Sequence, residues 1–142
     1  MITVTPFKYE DAFAIEENPT DEFKDAMRRH EADGTALTLK VGDEVMSCGG
    51  VMIMSQGVAE IWTLNGPLIK KYPIEFHKFI LDCRDKFEKK FNLVRMQAPV
   101  QSDIPMNIKW IESLGFKQEG LMRKYWGGKD FCMYSRITGE DY

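Results

Sequence analysis

Residues 59–73, AEIWTLNGPLIKKYP, bring together a carboxylate at Glu60, two adjacent ammonium groups at Lys70 and Lys71, and a strand that runs through a short turn into a helix. Such a turn is a natural anion site, because helix N-terminal amides point outward and the helix dipole favours negative charge. Phosphate cradles of this kind are glycine-rich, whereas Gly66 is the only glycine here and Pro67 and Pro73 have no N–H to give. Lys70 and Lys71 precede the helix expected from about Pro73 and would meet a phosphate as point charges. Strand alternation puts Glu60, Trp62 and Leu64 on one face, so this carboxylate stands beside apolar neighbours. Tyr125 and Tyr134 carry hydroxyls that could donate a proton. Cys48, Cys83 and Cys132 are widely spaced with no Cys-x-x-Cys pair, so neither metal nor redox chemistry is expected of them.

These residues need a scaffold, and 142 residues are the length of one domain, here expected over positions 1–142 with no linker or repeat. No apolar run approaches the roughly 18 residues of a membrane span, and no signal-type leader is seen, so the expectation is a soluble, cytoplasmic protein. With a net charge of −3 and its basic residues dispersed, the chain offers no footprint for nucleic acid.

Ile2–Thr5 alternates and stops at Pro6 as a short strand, and a helix is expected over about Tyr9–Glu17. A second follows, with Thr20 as N-cap, Phe23, Ala26 and Met27 on its apolar face, and Gly34 closing it. From Thr35 to Leu64 three β-rich runs are separated by Gly42-Asp43 and Gln56-Gly57, which predicts an antiparallel meander. Gly49-Gly50 inside its middle strand marks either a bulge or a close backbone approach. A long helix over about Tyr72–Phe91 has Phe76, Phe79, Ile80, Cys83, Phe87 and Phe91 on one side. A strand LVRMQAPV, a helix opened by Ser102 as cap, and a hairpin turning at Gly127-Gly128 complete the chain.

This order of elements, with WIESLGF at Trp110–Phe116 near the end, resembles the Gcn5-related N-acetyltransferase (GNAT) superfamily, and most closely the small acetyltransferase-like proteins of tailed bacteriophages. The resemblance implies an α/β fold, a mixed and mostly antiparallel seven-stranded sheet flanked by about four helices in the order β-α-α-β-β-β-α-β-α-β-β, with a V-shaped opening between the strands VAEIWTL and LVRMQAP. It implies acetyl-CoA as cofactor, with pantetheine adding to the backbone of Trp62, Thr63 and Leu64. Its phosphates fall beside Lys70 and Lys71, since the family's glycine-rich loop is missing from LNGPLIKKYPIEF. Glu60 falls where many members keep a catalytic glutamate. The usual tyrosine acid is replaced by Ile111, which leaves Tyr125 as the candidate hydroxyl. Two functions follow: transfer of an acetyl group to an amine of a small molecule or protein, or a catalytically degenerate module that binds a host protein or a virion component. The acids Glu10, Asp11, Glu16, Glu17, Asp21 and Glu22 would favour a cationic acceptor.

Overall fold

A computed structural model of the chain describes residues 1–140. The elements are β1 (Ile2–Pro6), α1 (Tyr9–Phe13), α2 (Asp21–Asp33), β2 (Ala36–Val41), β3 (Glu44–Ser55), β4 (Val58–Asn65), α3 (Pro73–Lys90), β5 (Arg95–Gln101), α4 (Pro105–Ser113), β6 (Lys117–Trp126) and β7 (Lys129–Ile137). They follow the order read from the sequence, with a short 3-10 turn at Pro67–Lys70 added between β4 and α3. Neighbouring strands are hydrogen-bonded in the order β1-β2-β3-β4-β5-β7-β6, one seven-stranded sheet. No helix among the described residues is long and apolar enough to cross a membrane.

Local chemistry explains most element ends. The Thr20 hydroxyl accepts from the Phe23 amide at 3.1 Å, and Gly34, with φ of 67°, closes α2 in the left-handed region that glycine reaches freely. Helix α1 stops at Phe13, short of the expected Glu17, because the Glu16 carboxylate accepts from the Asn18 amide at 3.1 Å and forms a local turn that competes with helix. Helix α4 starts at Pro105 with Ile104 as its N-cap rather than Ser102, whose hydroxyl instead donates to the Asp130 carbonyl at 3.0 Å.

The chain forms two compact units, one of residues 1–52 and 62–87, the other of residues 53–61 and 88 onward. In the first, Phe7, Ala12, Met27, Ala36 and Cys48 form one buried cluster, against which Phe23, Ala26, Trp62 and Leu64 pack. A second cluster, Ile2, Leu39, Met46 and Phe76, takes in Leu68, Tyr72, Phe79 and Ile80. In the second unit β5 is two-faced: Met96, Ala98 and Val100 are buried, while Arg95, Gln97, Pro99 and Gln101 are half-buried. Helix α4 packs on β5, and its Ile111 is buried with 1% of its surface exposed.

Gly49-Gly50 resolves as close backbone approach. A Cβ on Gly49 would lie 2.6 Å from the Trp62 carbonyl oxygen of β4, and one on Gly50 would lie 2.0 Å from the Thr35 oxygen and 2.7 Å from Ala36 Cα. All three obstacles are backbone, which cannot step aside as a side-chain tip can. Gly50→Ala should therefore lower the urea midpoint by the equivalent of about 1–3 kcal/mol or more, the range for overpacking. Gly120→Ala, where nothing lies within 4 Å, should stay near wild type, and equal midpoints for the two variants would refute the close approach.

Candidate active site

The turn after β4 is the part of the anion site that can be judged amide by amide. Gly66 N–H donates to Met46 O at 2.9 Å, Ile69 N–H to Gly66 O at 3.4 Å, Lys71 N–H to Leu68 O at 3.0 Å and Tyr72 N–H to Ile69 O at 3.3 Å. Pro67 and Pro73 lack an N–H, and these four amides are already engaged within the protein. Glu75 sits in the first turn of α3 and opposes an anion there. Lys70 ends the 3-10 turn, Lys71 caps it, and both are exposed with no ion pair among the described residues. The turn thus offers two exposed cations beside several amides that are already engaged.

Trp62, Thr63 and Leu64 occupy the second half of β4. The parallel register of β4 with β5 covers Val58↔Arg95, Ala59↔Met96 and Glu60↔Gln97, and includes none of these three residues. The Trp62 ring meets Phe7 edge-on at 6.0 Å and His30 at 4.7 Å, and its indole N–H is buried with no hydrogen-bond partner among the described residues. His30 is tied through Nδ1 to the Thr35 hydroxyl at 2.6 Å, and burial, with Arg29 nearby, pushes its imidazole below the usual range and so toward neutrality. Of the acids on the first helices, Asp11 accepts from Thr38 Oγ1 at 2.7 Å and from the Lys8 amide at 3.1 Å, and Glu31 accepts from the Tyr9 amide at 2.7 Å. They hold helix ends and strands; Glu10, Glu17, Asp21 and Glu22 remain exposed.

Glu60 is half-buried, and its Oε1 accepts from Gln97 Nε2 at 3.0 Å. That amide opens a chain of polar contacts across the sheet. Arg95 Nε donates to Gln97 Oε1 at 3.0 Å, its two terminal nitrogens grip Glu119 at 2.9 and 2.7 Å, and Ser135 Oγ donates to Glu119 Oε2 at 2.8 Å. The Arg95 and Ser135 hydrogen bonds hold the Glu119 carboxyl down to about 2. None of Arg95, Gln97, Glu119 or Ser135 stands out in the sequence. The alternation of LVRMQAPV does mark Arg95 and Gln97 as one polar face of a strand.

Tyr125 is 45% exposed near the turn of the last hairpin, its ring 5.4 Å from that of Phe131. Phe131 pairs with Gln101, four residues along β5 from Gln97, which puts Phe131 about 13 Å along the strands from the row of Glu60. The structure therefore does not bring Tyr125 and Glu60 together. Tyr134, 1% exposed, points its hydroxyl at Glu112 of α4 at 3.5 Å, and burial pushes that hydroxyl up. No cluster of His, Cys, Asp or Glu among the described residues could hold a metal ion.

No protein-family model matches the chain, and no curated protein matches its sequence. Its fold does recur among solved structures. A GNAT-family acetyltransferase from Bacillus anthracis superposes with a TM-score of 0.76 at 14% identity over 98% of this chain and 96% of that one. The spermidine/spermine N-acetyltransferase SpeG from Vibrio cholerae gives 0.75 at 14% identity over 96% and 92%. The acetyltransferase yncA from Salmonella typhimurium, solved with its cofactor acetyl-CoA, gives 0.78 at 16% identity over 98% and 95%. At these identities the likeness is one of fold: the chain has the fold of the GNAT acetyltransferases.

The depressed Glu119 carboxyl has a pH signature. Its native proton affinity lies below the ordinary value of 4.5, so the stability it contributes is present above about pH 4.5 and is lost as pH falls toward 2. Glu119→Gln should flatten the acid limb of a stability–pH curve over that window. The difference should shrink in high salt, because the pair is partly exposed. An unchanged acid limb at low salt would sink the assignment.

Proposed function

We propose that the protein is an N-acetyltransferase moving an acetyl group from acetyl-CoA to an amine of a small molecule or a protein. The observation that carries this reading is the three-pair register of β4 with β5, in a fold shared with acetyltransferases: it ends at Glu60 and leaves Trp62, Thr63 and Leu64 outside that ladder. Backbone groups of those residues can then hold an extended pantetheine arm by strand addition, which depends little on side-chain identity. Lys70 and Lys71 would hold the phosphates. Acetyl-CoA supplies a thioester carbonyl to be attacked by the amine. Glu60, two residues before Trp62 on β4, takes the proton that the amine must lose. Tyr125 lies along the strands away from the row of Glu60, so the departing thiolate takes its proton from water. The spermidine and spermine acceptors of SpeG favour a cationic amine here as well.

A second reading is a catalytically degenerate binding module of the same fold, phage-encoded and directed at a host protein or virion component. It is favoured by Ile111, an isoleucine in the core where the resemblance places a tyrosine.

Calorimetric titration with acetyl-CoA separates the two. Binding should be weak, and Lys70→Ala/Lys71→Ala should weaken it further at low salt, with the difference shrinking at high salt as screening removes the wild-type advantage. Undiminished affinity in the double variant at low salt would place the phosphates elsewhere.

Glu60→Gln keeps shape while removing the charge. It should cut transfer by about 10²–10⁴-fold, the usual worth of general-base assistance, with Tm and acetyl-CoA affinity near wild type. Tyr125→Phe should transfer at about the wild-type rate in the same assay, and a loss as large as that of Glu60→Gln would restore Tyr125 as the acid. Transfer by Glu60→Gln at the wild-type rate across the pH range would remove Glu60 from the reaction, and no transfer by wild type to any amine, peptide or protein would favour the binding module.

A further inference from the structure

We propose that Arg95, gripped by Glu119, is a positioning residue that locks the Gln97 side-chain amide with its N–H toward Glu60 and so presents the other carboxylate oxygen to the acceptor amine. The inference rests on the reading of Glu60 as the proton acceptor.

The backbone puts these groups on one face. Glu60 is opposite Gln97, Gln97 is opposite Ser135, and Ser135 is opposite Lys117, so one row of side chains crosses β4, β5, β7 and β6. Arg95 lies two residues from Gln97 along β5 and shares that face by the period of two, and Glu119, the extra residue where the β6 register shifts between Gln118 and Gly120, is brought to the same row by its hydrogen bonds with Arg95 and Ser135. A glutamine amide has one accepting oxygen and one donating nitrogen, and here each is claimed: Oε1 by Arg95 Nε at 3.0 Å, Nε2 by Glu60 Oε1 at 3.0 Å. Turning the amide over would set nitrogen against guanidinium and oxygen against carboxylate, two repulsive contacts for two attractive ones. The guanidinium is in turn held by the two-pronged grip of Glu119, which fixes its plane and aims Nε along β5. Ser135 steadies the far end at 2.8 Å.

Near the row of Glu60 the charged groups on this face are Arg95, Glu119 and the exposed Lys117, with Lys129 six residues further along β7; Arg136 alternates to the other face and pairs with Glu88 at 2.6 Å. Strand β3, the other neighbour of β4, carries no ionisable side chain from Val51 to Ser55. No described hydrogen bond engages Glu60 Oε2. With Oε1 occupied by Gln97, Oε2 is the oxygen left for an incoming ammonium group.

The discriminating variant is Arg95→Lys, which keeps the charge but loses the fork that can hold Glu119 and Gln97 at once. In the full-length protein, the Gln97 side-chain amide signal is assigned in ¹H–¹⁵N spectra by its loss in Gln97→Met. Its hydrogen-bonded proton should exchange slowly with solvent in wild type and severalfold faster in Arg95→Lys and in the charge-neutral pair Arg95→Met/Glu119→Gln. Lys117→Gln should leave it unchanged. Unchanged protection in both Arg95 variants would overturn the proposal, and if one of them fails to fold the other decides. In the transfer assay kcat should fall in Arg95→Lys with the KM for acetyl-CoA unchanged, and Gln97→Met should show the same fall with no further loss on adding Arg95→Lys. An added loss of equal size would mean that Arg95 acts by another route, against the proposal. If wild type transfers nothing, the function reading fails, while the amide exchange still decides the positioning.

Discussion

The parallel contact of β4 with β5, three residue pairs long, is the constraint on which the rest depends. Parallel strands cannot be joined by a tight turn, and the chain from Asn65 to Arg95 spends its length on a 3-10 turn and the long helix α3. The three pairs do two jobs. They set Glu60 opposite Gln97, and through the Gln97↔Ser135 pair they pass that row to β7. A slip of one residue would turn Gln97 to the buried face and expose Met96, so the same hydrophobic pattern that buries Met96, Ala98 and Val100 also aims the polar chain.

At the other end of β4 the proposed phosphate site would differ in kind from a cradle of amides. A cradle of amides is rigid and prepaid in folding, whereas lysine side chains must be ordered when they bind, at up to about 2 kcal/mol of rotamer entropy each. The 3-10 turn also packs Leu68 and Ile69, half-buried, against the cluster that holds Met46 and Phe76. Here the turn serves the core, and in the proposed function phosphate binding would fall to Lys70 and Lys71, with the salt dependence of point charges.

Most of the fold was legible because its punctuation is local. Thr20 and Gly34 bracket α2, while Gly42, Gly57, Gly127 and Gly128 all take positive φ at the strand turns where the sequence puts them. The misses are equally physical. Four residues of 3-10 turn are too short to leave a periodic signal. Ser102 looks like a cap until the distant Asp130 carbonyl claims its hydroxyl. Asp11 and Glu31 count as acids in a composition but act as acceptors for particular amides. Arg95, Gln97, Glu119 and Ser135 meet across strands up to 40 residues apart in sequence, and only the register shows it.

The residues kept and lost differ in what acetyl transfer would ask of them. An alkyl amine of ordinary pKa, about 10.4, is protonated in all but about one molecule in 10³ at pH 7, and an ammonium has no lone pair with which to attack. A proton acceptor beside it therefore addresses the larger obstacle. The departing thiolate, with an ordinary thiol pKa of about 8.5, takes up a proton from water at neutral pH without a strong acid. Placing Ile111 in the core where the resemblance has a tyrosine removes help from the easier proton transfer. In the proposed function Glu60, held by Gln97 with one oxygen left over, would act at the harder one.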